Sequence, residues 1–343
     1  MTTIFAGTKK GLFVFRGDQH KECKIHFEGQ NVYAVGEAEG RIWASPFTEW
    51  TGSVLASSSD GGNEWEEMEV RPEFPEDTET AMKGIWQIKQ KPGGGIMFGA
   101  EPSSVFLANS TLEDWSLVRG LWNHPHREKW GPGYGGQCLH TIVPLTESEW
   151  VVGMSTGGVY RTEDAGESWV ASNSGIVAPF LPDPAAEFGQ CVHKIAADPE
   201  VNGQLFLQHH WGVYRSRDRG KTWQNISEDR GLPSDFGFGV VSTGANTAFI
   251  IPLKSDMFRV FPDGKCAVYR TTDAGENWER LDKGLPQENA FDIVLRDSFS
   301  SNGENIAFGT TAGSLFYSED NGDGWTEVAS NLPRITCVRI VED

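Results

Sequence analysis

No stretch of the chain approaches the roughly 20 consecutive apolar residues a membrane-spanning helix requires, so a helical membrane protein is not expected. The run from Met1 to Lys10 lacks a basic segment followed by an apolar one and a cleavage site, so no secretory signal is expected either. Cysteine is sparse: Cys23, Cys138, Cys191, Cys266 and Cys337 are odd in number and scattered. That is no disulfide framework, and it points to a reducing, cytoplasmic setting. Positive charge is also short, with 29 Lys and Arg against 48 Asp and Glu and a formal net charge of −19. Neither nucleic acid nor an anionic membrane gains counterion-release energy from such a surface, so neither is expected as a partner. Long helical periodicity is absent, and so is an HExxH metal motif.

What the chain does have is glycine, at 40 residues, and tryptophan, at 13. Many short strands joined by Gly-rich turns fit that mixture, and an all-β fold of 343 residues can be one domain spanning 1–343. The pattern Ser/Thr-x-Asp-x-Gly-x-x-Trp recurs five times, at 58–65, 162–169, 216–223, 271–278 and 318–325. A hydroxyl and a carboxylate two residues apart can bond the backbone of a tight turn between strands. Gly supplies positive φ, and Trp opens the next strand with a large ring to bury. Two degenerate copies, at 109–115 and 15–18, keep either the Trp or the turn but not both.

Each copy follows a short apolar strand, and each repeat opens on another. The aligned opening-strand position is Tyr33, Trp86, His140, His193, Phe238, Phe291 and Thr336, at successive offsets of 53, 54, 53, 45, 53 and 45 residues. Seven opening strands predict a seven-bladed β-propeller of four-stranded antiparallel blades. The last opening strand lacks followers, so segments near Thr3, Gly11 and Lys24 are expected to complete its blade and close the ring.

The Asp turns join third and fourth strands and lie on the bottom face, so function is expected on the top face near the axis. The aligned residues would ring one level of the channel. His140 and His193 share the context Gly-Gln-Cys-x-His in neighbouring blades, and His209 or His210 ends a second strand of the same blade as His193. Three expectations follow. His140, His193 and His209 act as acid/base groups, with Glu101 or Asp235 as the carboxylate partner. The same three histidines instead hold a divalent metal ion. Or the propeller is a non-catalytic binding platform. Lys9, Tyr33, Trp86, Arg127, His210, Phe238, Arg259 and Phe291 are candidate contacts for a small polar or glycan-like substrate. Two long loops, 121–134 and 178–184, read as pocket walls. Oligomeric state is left open.

On the five turn motifs, the whole chain resembles the Asp-box, or BNR-repeat, bacterial sialidase-like glycosyl hydrolases. The resemblance implies the propeller fold rather than a chemistry. Sialidases have six blades, an arginine triad and a Tyr/Glu pair; no Arg-Ile-Pro entry or aligned arginine triad occurs here, so classical sialidase activity is not expected. Xyloglucanases are similar in using seven-bladed Asp-box propellers, but two in tandem. Photosystem assembly factors resemble the chain in blade number and are not enzymes.

Overall fold

The computed structural model describes residues 2–112, 114–133, 136–179 and 181–342. Glu113 of one degenerate turn and Tyr134 and Phe180 of the two long loops lie outside the described residues. Seven antiparallel sheets stand around an axis, each of four strands apart from one that carries an extra short strand. Blades 1 to 6 open on Asn31–Ala38, Gly84–Gln90, Leu139–Pro144, Val192–Ala197, Gly237–Gly244 and Val294–Asn302, and each runs outward in chain order. Blade 7 opens on Ile335–Glu342 and is completed by Thr2–Thr8, Gly11–Arg16 and Glu22–His26 from the other end of the chain. Adjacent blades bury apolar side chains between them, in seven separate clusters.

The repeated turns are built as their chemistry dictates. In the second copy Thr162 Oγ1 donates to Asp164 Oδ1 (2.7 Å) and accepts from the Gly166 N–H (2.9 Å), while Asp164 accepts from the Ser168 N–H at 2.9 Å. Hydrogen bonds led by Ser168 hold the Asp164 carboxyl down at about 2. Ser216/Asp218, Thr271/Asp273 and Ser318/Asp320 repeat the hydroxyl–carboxylate bond at 2.7–2.8 Å. Trp169, Trp223, Trp278 and Trp325 are buried behind the turns.

Three of these tryptophans also fasten blade to blade through the backbone. The N–H groups of Trp223, Trp278 and Trp325 donate to the carbonyls of Ser174, Arg230 and Lys283 of the preceding blade. A glycine follows each acceptor. At Gly175, φ is 92° and an added Cβ would lie 1.9 Å from the Trp223 carbonyl oxygen. Gly175→Ala is expected to destabilise the fold by about 3 kcal/mol, combining left-handed strain with displacement of the fastening. A thermal midpoint equal to wild type would refute this.

One backbone irregularity recurs in every blade and decides what reaches the axis. Near its start, each opening strand carries a β-bulge against the second strand. Trp86, His140, His193 and Thr336 are each the unpaired extra residue. Tyr33 and Ala34 oppose Ser45 alone, and Phe238 and Gly239 oppose Ile251 alone. Six members of the aligned set therefore share one structural seat, because a bulge re-aims the side chain it carries. Blade 6 departs: Val294 pairs with Thr310 and Phe299 with Phe308, so Leu295, Arg296, Asp297 and Ser298 all face the single residue Gly309. The enlarged bulge takes the seat expected for Phe291, which lies on the preceding connection, 58% exposed.

Candidate functional site

The bulges hold His140 and His193 in neighbouring blades, but both rings are sealed rather than open to a shared cavity. His140, His193 and His209 are 0%, 2% and 0% exposed. His140 Nε2 lies 3.1 Å from Ser155 Oγ, and His209 Nδ1 lies 3.0 Å from the Trp211 carbonyl oxygen. Burial drives His140 and His193 well below the ordinary imidazole value, and His209 to about 4. The expected trio of accessible acid/base histidines is therefore corrected: these rings are neutral and shielded from solvent. The expected metal trio is corrected as well, since the atoms that converge belong to Cys191, His193 and His210, mutually within 4.8 Å. His210 takes the place of His209 because His209 still pairs with Val192 inside the sheet, whereas His210 lies beyond the strand end.

A polar chain runs from this point to the rim. His193 Nδ1 lies 2.6 Å from the Gly237 carbonyl oxygen, and His193 Nε2 lies 3.2 Å from His210 Nδ1. His210 Nε2 lies 3.2 Å from Asp256 Oδ2. Burial lowers the His210 pKa, with Asp256 opposing, and Asp256 is also ion-paired to Arg259. Arg259 stands over Phe236 and Phe238 at 5.6 and 5.7 Å from the ring centroids. Phe238 is buried and packs 4.8 Å from His193, so it is a wall rather than a free contact surface.

On the opposite side of the axis Tyr33 and Trp86 lie 5.0 Å apart between centroids, their planes tilted by 33°. The Lys9 ammonium stands over the Tyr33 ring at 4.6 Å and bonds its hydroxyl. Trp86 Nε1 donates to Glu101 Oε2 at 3.2 Å, and Gly136 lies against the same carboxylate. Asp235 is exposed, and its backbone carbonyl receives Gln208 Nε2 at 3.0 Å. Arg127 anchors the long loop before blade 3. Its guanidinium lies 3.3 Å from the Trp122 ring centroid and donates to the Ser103 carbonyl at 2.8 Å, and burial brings its pKa down to about 10.

Sequence reasoning missed Arg296, Asp297, Lys194 and Lys89. Arg296 is half-buried and electrostatically felt by Cys138, His140, Cys191 and His193. Among the described residues it forms no ion pair or hydrogen bond, and its Nε is buried without a partner. Asp297 instead pairs with Lys194 of blade 4, which also donates to Gln87 Oε1 at 3.2 Å and to the His140 carbonyl at 3.4 Å. That pair lines an axial cavity of about 300 Å³, along with Tyr33, Trp86, Lys89 and Arg339. Desolvation, with Arg339 and Lys194 nearby, brings the Lys89 ammonium down to about 7. The doubled Gln-Cys-x-His context was the one sequence signal that pointed at Cys191.

No protein-family profile and no curated relative matches the chain. Its fold is similar to solved propellers. YCF48 bound to D1 peptide superposes with a TM-score of 0.53 at 15% identity, covering 86% of this chain and 81% of that one. PorZ, a surface component of the type-IX secretion system of Porphyromonas gingivalis, gives 0.56 at 11% identity, covering 90% of this chain. An ancestral GH74 enzyme gives 0.54 at 13% identity, covering 99% of this chain. The chain spans only 34% of PorZ and 40% of the GH74 enzyme. Among the described residues no helix is long and apolar enough to cross a membrane.

Proposed function

We propose that the upper end of the axis binds a small polar molecule carrying an anionic group, sugar acids included, and that the chain is an enzyme acting on it by proton transfer, as a hydrolase or lyase. The observation that carries this reading is Arg296, a guanidinium brought to the axis by the largest bulge and left unpaired among the described residues. Its guanidinium stands 6.0 Å from the Phe238 ring centroid and has no carboxylate partner among the described residues, so a ligand anion is the group that would complete it. Glu101, which accepts from Trp86 Nε1, and the His210–Asp256 pair are the candidate proton carriers of this reading. The Asp-box resemblance supports the scaffold, and the GH74 likeness supports sugar-like ligands only at the level of fold.

Calorimetry with glucuronate and with glucose tests the reading. Glucuronate is expected to bind and glucose to bind at least about tenfold more weakly, a difference of about 1.4 kcal/mol. Arg296→Met should abolish that preference. An Arg296→Met protein that discriminates as wild type does would overturn it.

A second reading, a protein-binding platform, is favoured by four large apolar side chains exposed on top-face connections. Trp50, Met257, Phe258 and Phe291 are 96%, 92%, 57% and 58% exposed. The peptide named with YCF48 fits that reading.

A further inference from the structure

We propose that Cys191, His193 and His210 form a zinc site with three protein ligands and an open fourth position. The argument is one of lone pairs. His193 Nδ1 faces the Gly237 carbonyl oxygen at 2.6 Å, and a carbonyl can only accept, so Nδ1 carries the hydrogen and Nε2 carries the lone pair. His210 Nε2 faces the Asp256 carboxylate at 3.2 Å, so the hydrogen sits there and Nδ1 carries the lone pair. Those two lone pairs confront each other across 3.2 Å. Two neutral imidazoles in that arrangement have no hydrogen between them, and only a shared cation makes the contact favourable. A proton would engage only the two nitrogens and the Asp256 carboxylate, whereas a metal ion also engages Cys191, which converges on the same point. A metal ion comes with its own neutralising ligand, the Cys191 thiolate.

The geometry suits zinc. Two nitrogens bound at 2.0–2.1 Å at a tetrahedral angle stand about 3.3 Å apart, against the 3.2 Å observed. Cys191 Sγ lies within 4.8 Å of both nitrogens. Burial raises the Cys191 thiol, with the Arg296 charge and the Thr156 backbone N–H opposing, and coordination itself displaces the thiol proton. Each histidine also has its second nitrogen held by a carbonyl or carboxylate, the arrangement that orients metal-bound imidazoles. A mixed thiolate–imidazole set selects zinc over magnesium or calcium. Binding releases the single thiol proton of Cys191, and three ligands leave one position for water or substrate.

This inference does not depend on Arg296 holding an anion. The full chain, stripped with chelator and titrated with Zn²⁺ or Co²⁺, is expected to take up about one equivalent and, with cobalt, to show a thiolate charge-transfer band. Cys191→Ser and His210→Gln should each weaken uptake at least about 100-fold, and Cys191→Ser should remove the band. Asp256→Asn should weaken uptake about 10–100-fold and keep the band. Cys138→Ser should retain full uptake. Circular dichroism establishes that each variant is folded. Folded wild type that takes up no zinc at micromolar concentration, or uptake unchanged in Cys191→Ser and His210→Gln, overturns the proposal.

Discussion

Deleting residues 335–343 is expected to leave no cooperatively folded protein. Ile335–Glu342 pairs along Thr2–Thr8 at seven positions, so its loss strips the inner strand from blade 7. It also breaks two inter-blade cores. Ile335, Val338 and Ile340 pack with Ala307 and Leu315 of blade 6, and Val341 and Cys337 pack with Val32 and Ile42 of blade 1. Burying an Ile or Val side chain is worth about 1.5–3 kcal/mol, so the four such residues together match the 5–15 kcal/mol that typically holds a domain folded. The check is the thermal transition by circular dichroism, which should vanish and return when a peptide of residues 335–343 is supplied. A truncated chain melting within a few degrees of the intact one would contradict this.

The second large effect lies on the axis. Lys194→Met is expected to destabilise the fold by about 3–5 kcal/mol, because it leaves Asp297 charged, buried and alone. The side chains of the pair are only 14% and 9% exposed, and Asp297 Oδ2 already lacks a partner. Lys194 also ties blade 4 to Gln87 of blade 2 and to the His140 carbonyl of blade 3, so its removal unlinks three blades. Lys194→Met with Asp297→Leu should recover most of the loss, since an apolar replacement removes the stranded charge. Urea denaturation of the two single variants and the double variant measures the coupling. A double variant as unstable as Lys194→Met alone would show that the ion pair is not the cause.

The scaffold was readable in the sequence because its determinants are local. A Ser or Thr, an Asp and a Gly within five residues specify a turn by bonds that need no distant partner, and the register of opening strands follows from them. The closure by both chain ends followed from counting strands. The site was less readable because its determinants are not local. Phe291 matched the aromatic seat by spacing, yet a bulge of four residues against Gly309 moved blade 6 out of register and put Arg296 and Asp297 at the axis. His209 and His210 are adjacent, and only the point where the strand ends decides which one meets His193. The shifts of Lys89 and His140 come from desolvation after the ring closes, which spacing along the chain does not encode.

The recurring bulge also separates the hub of this wheel from its spokes. Six of the seven spokes offer the hub a residue from a kinked backbone position that the strand ladder does not use, so tyrosine, tryptophan, histidine, phenylalanine and threonine occupy equivalent places without altering the pairing on either side. Hub residues can thus be exchanged singly while the rim keeps folding the same way. Such a wheel is a chassis on which new ligand chemistries arise by point substitution, one spoke at a time.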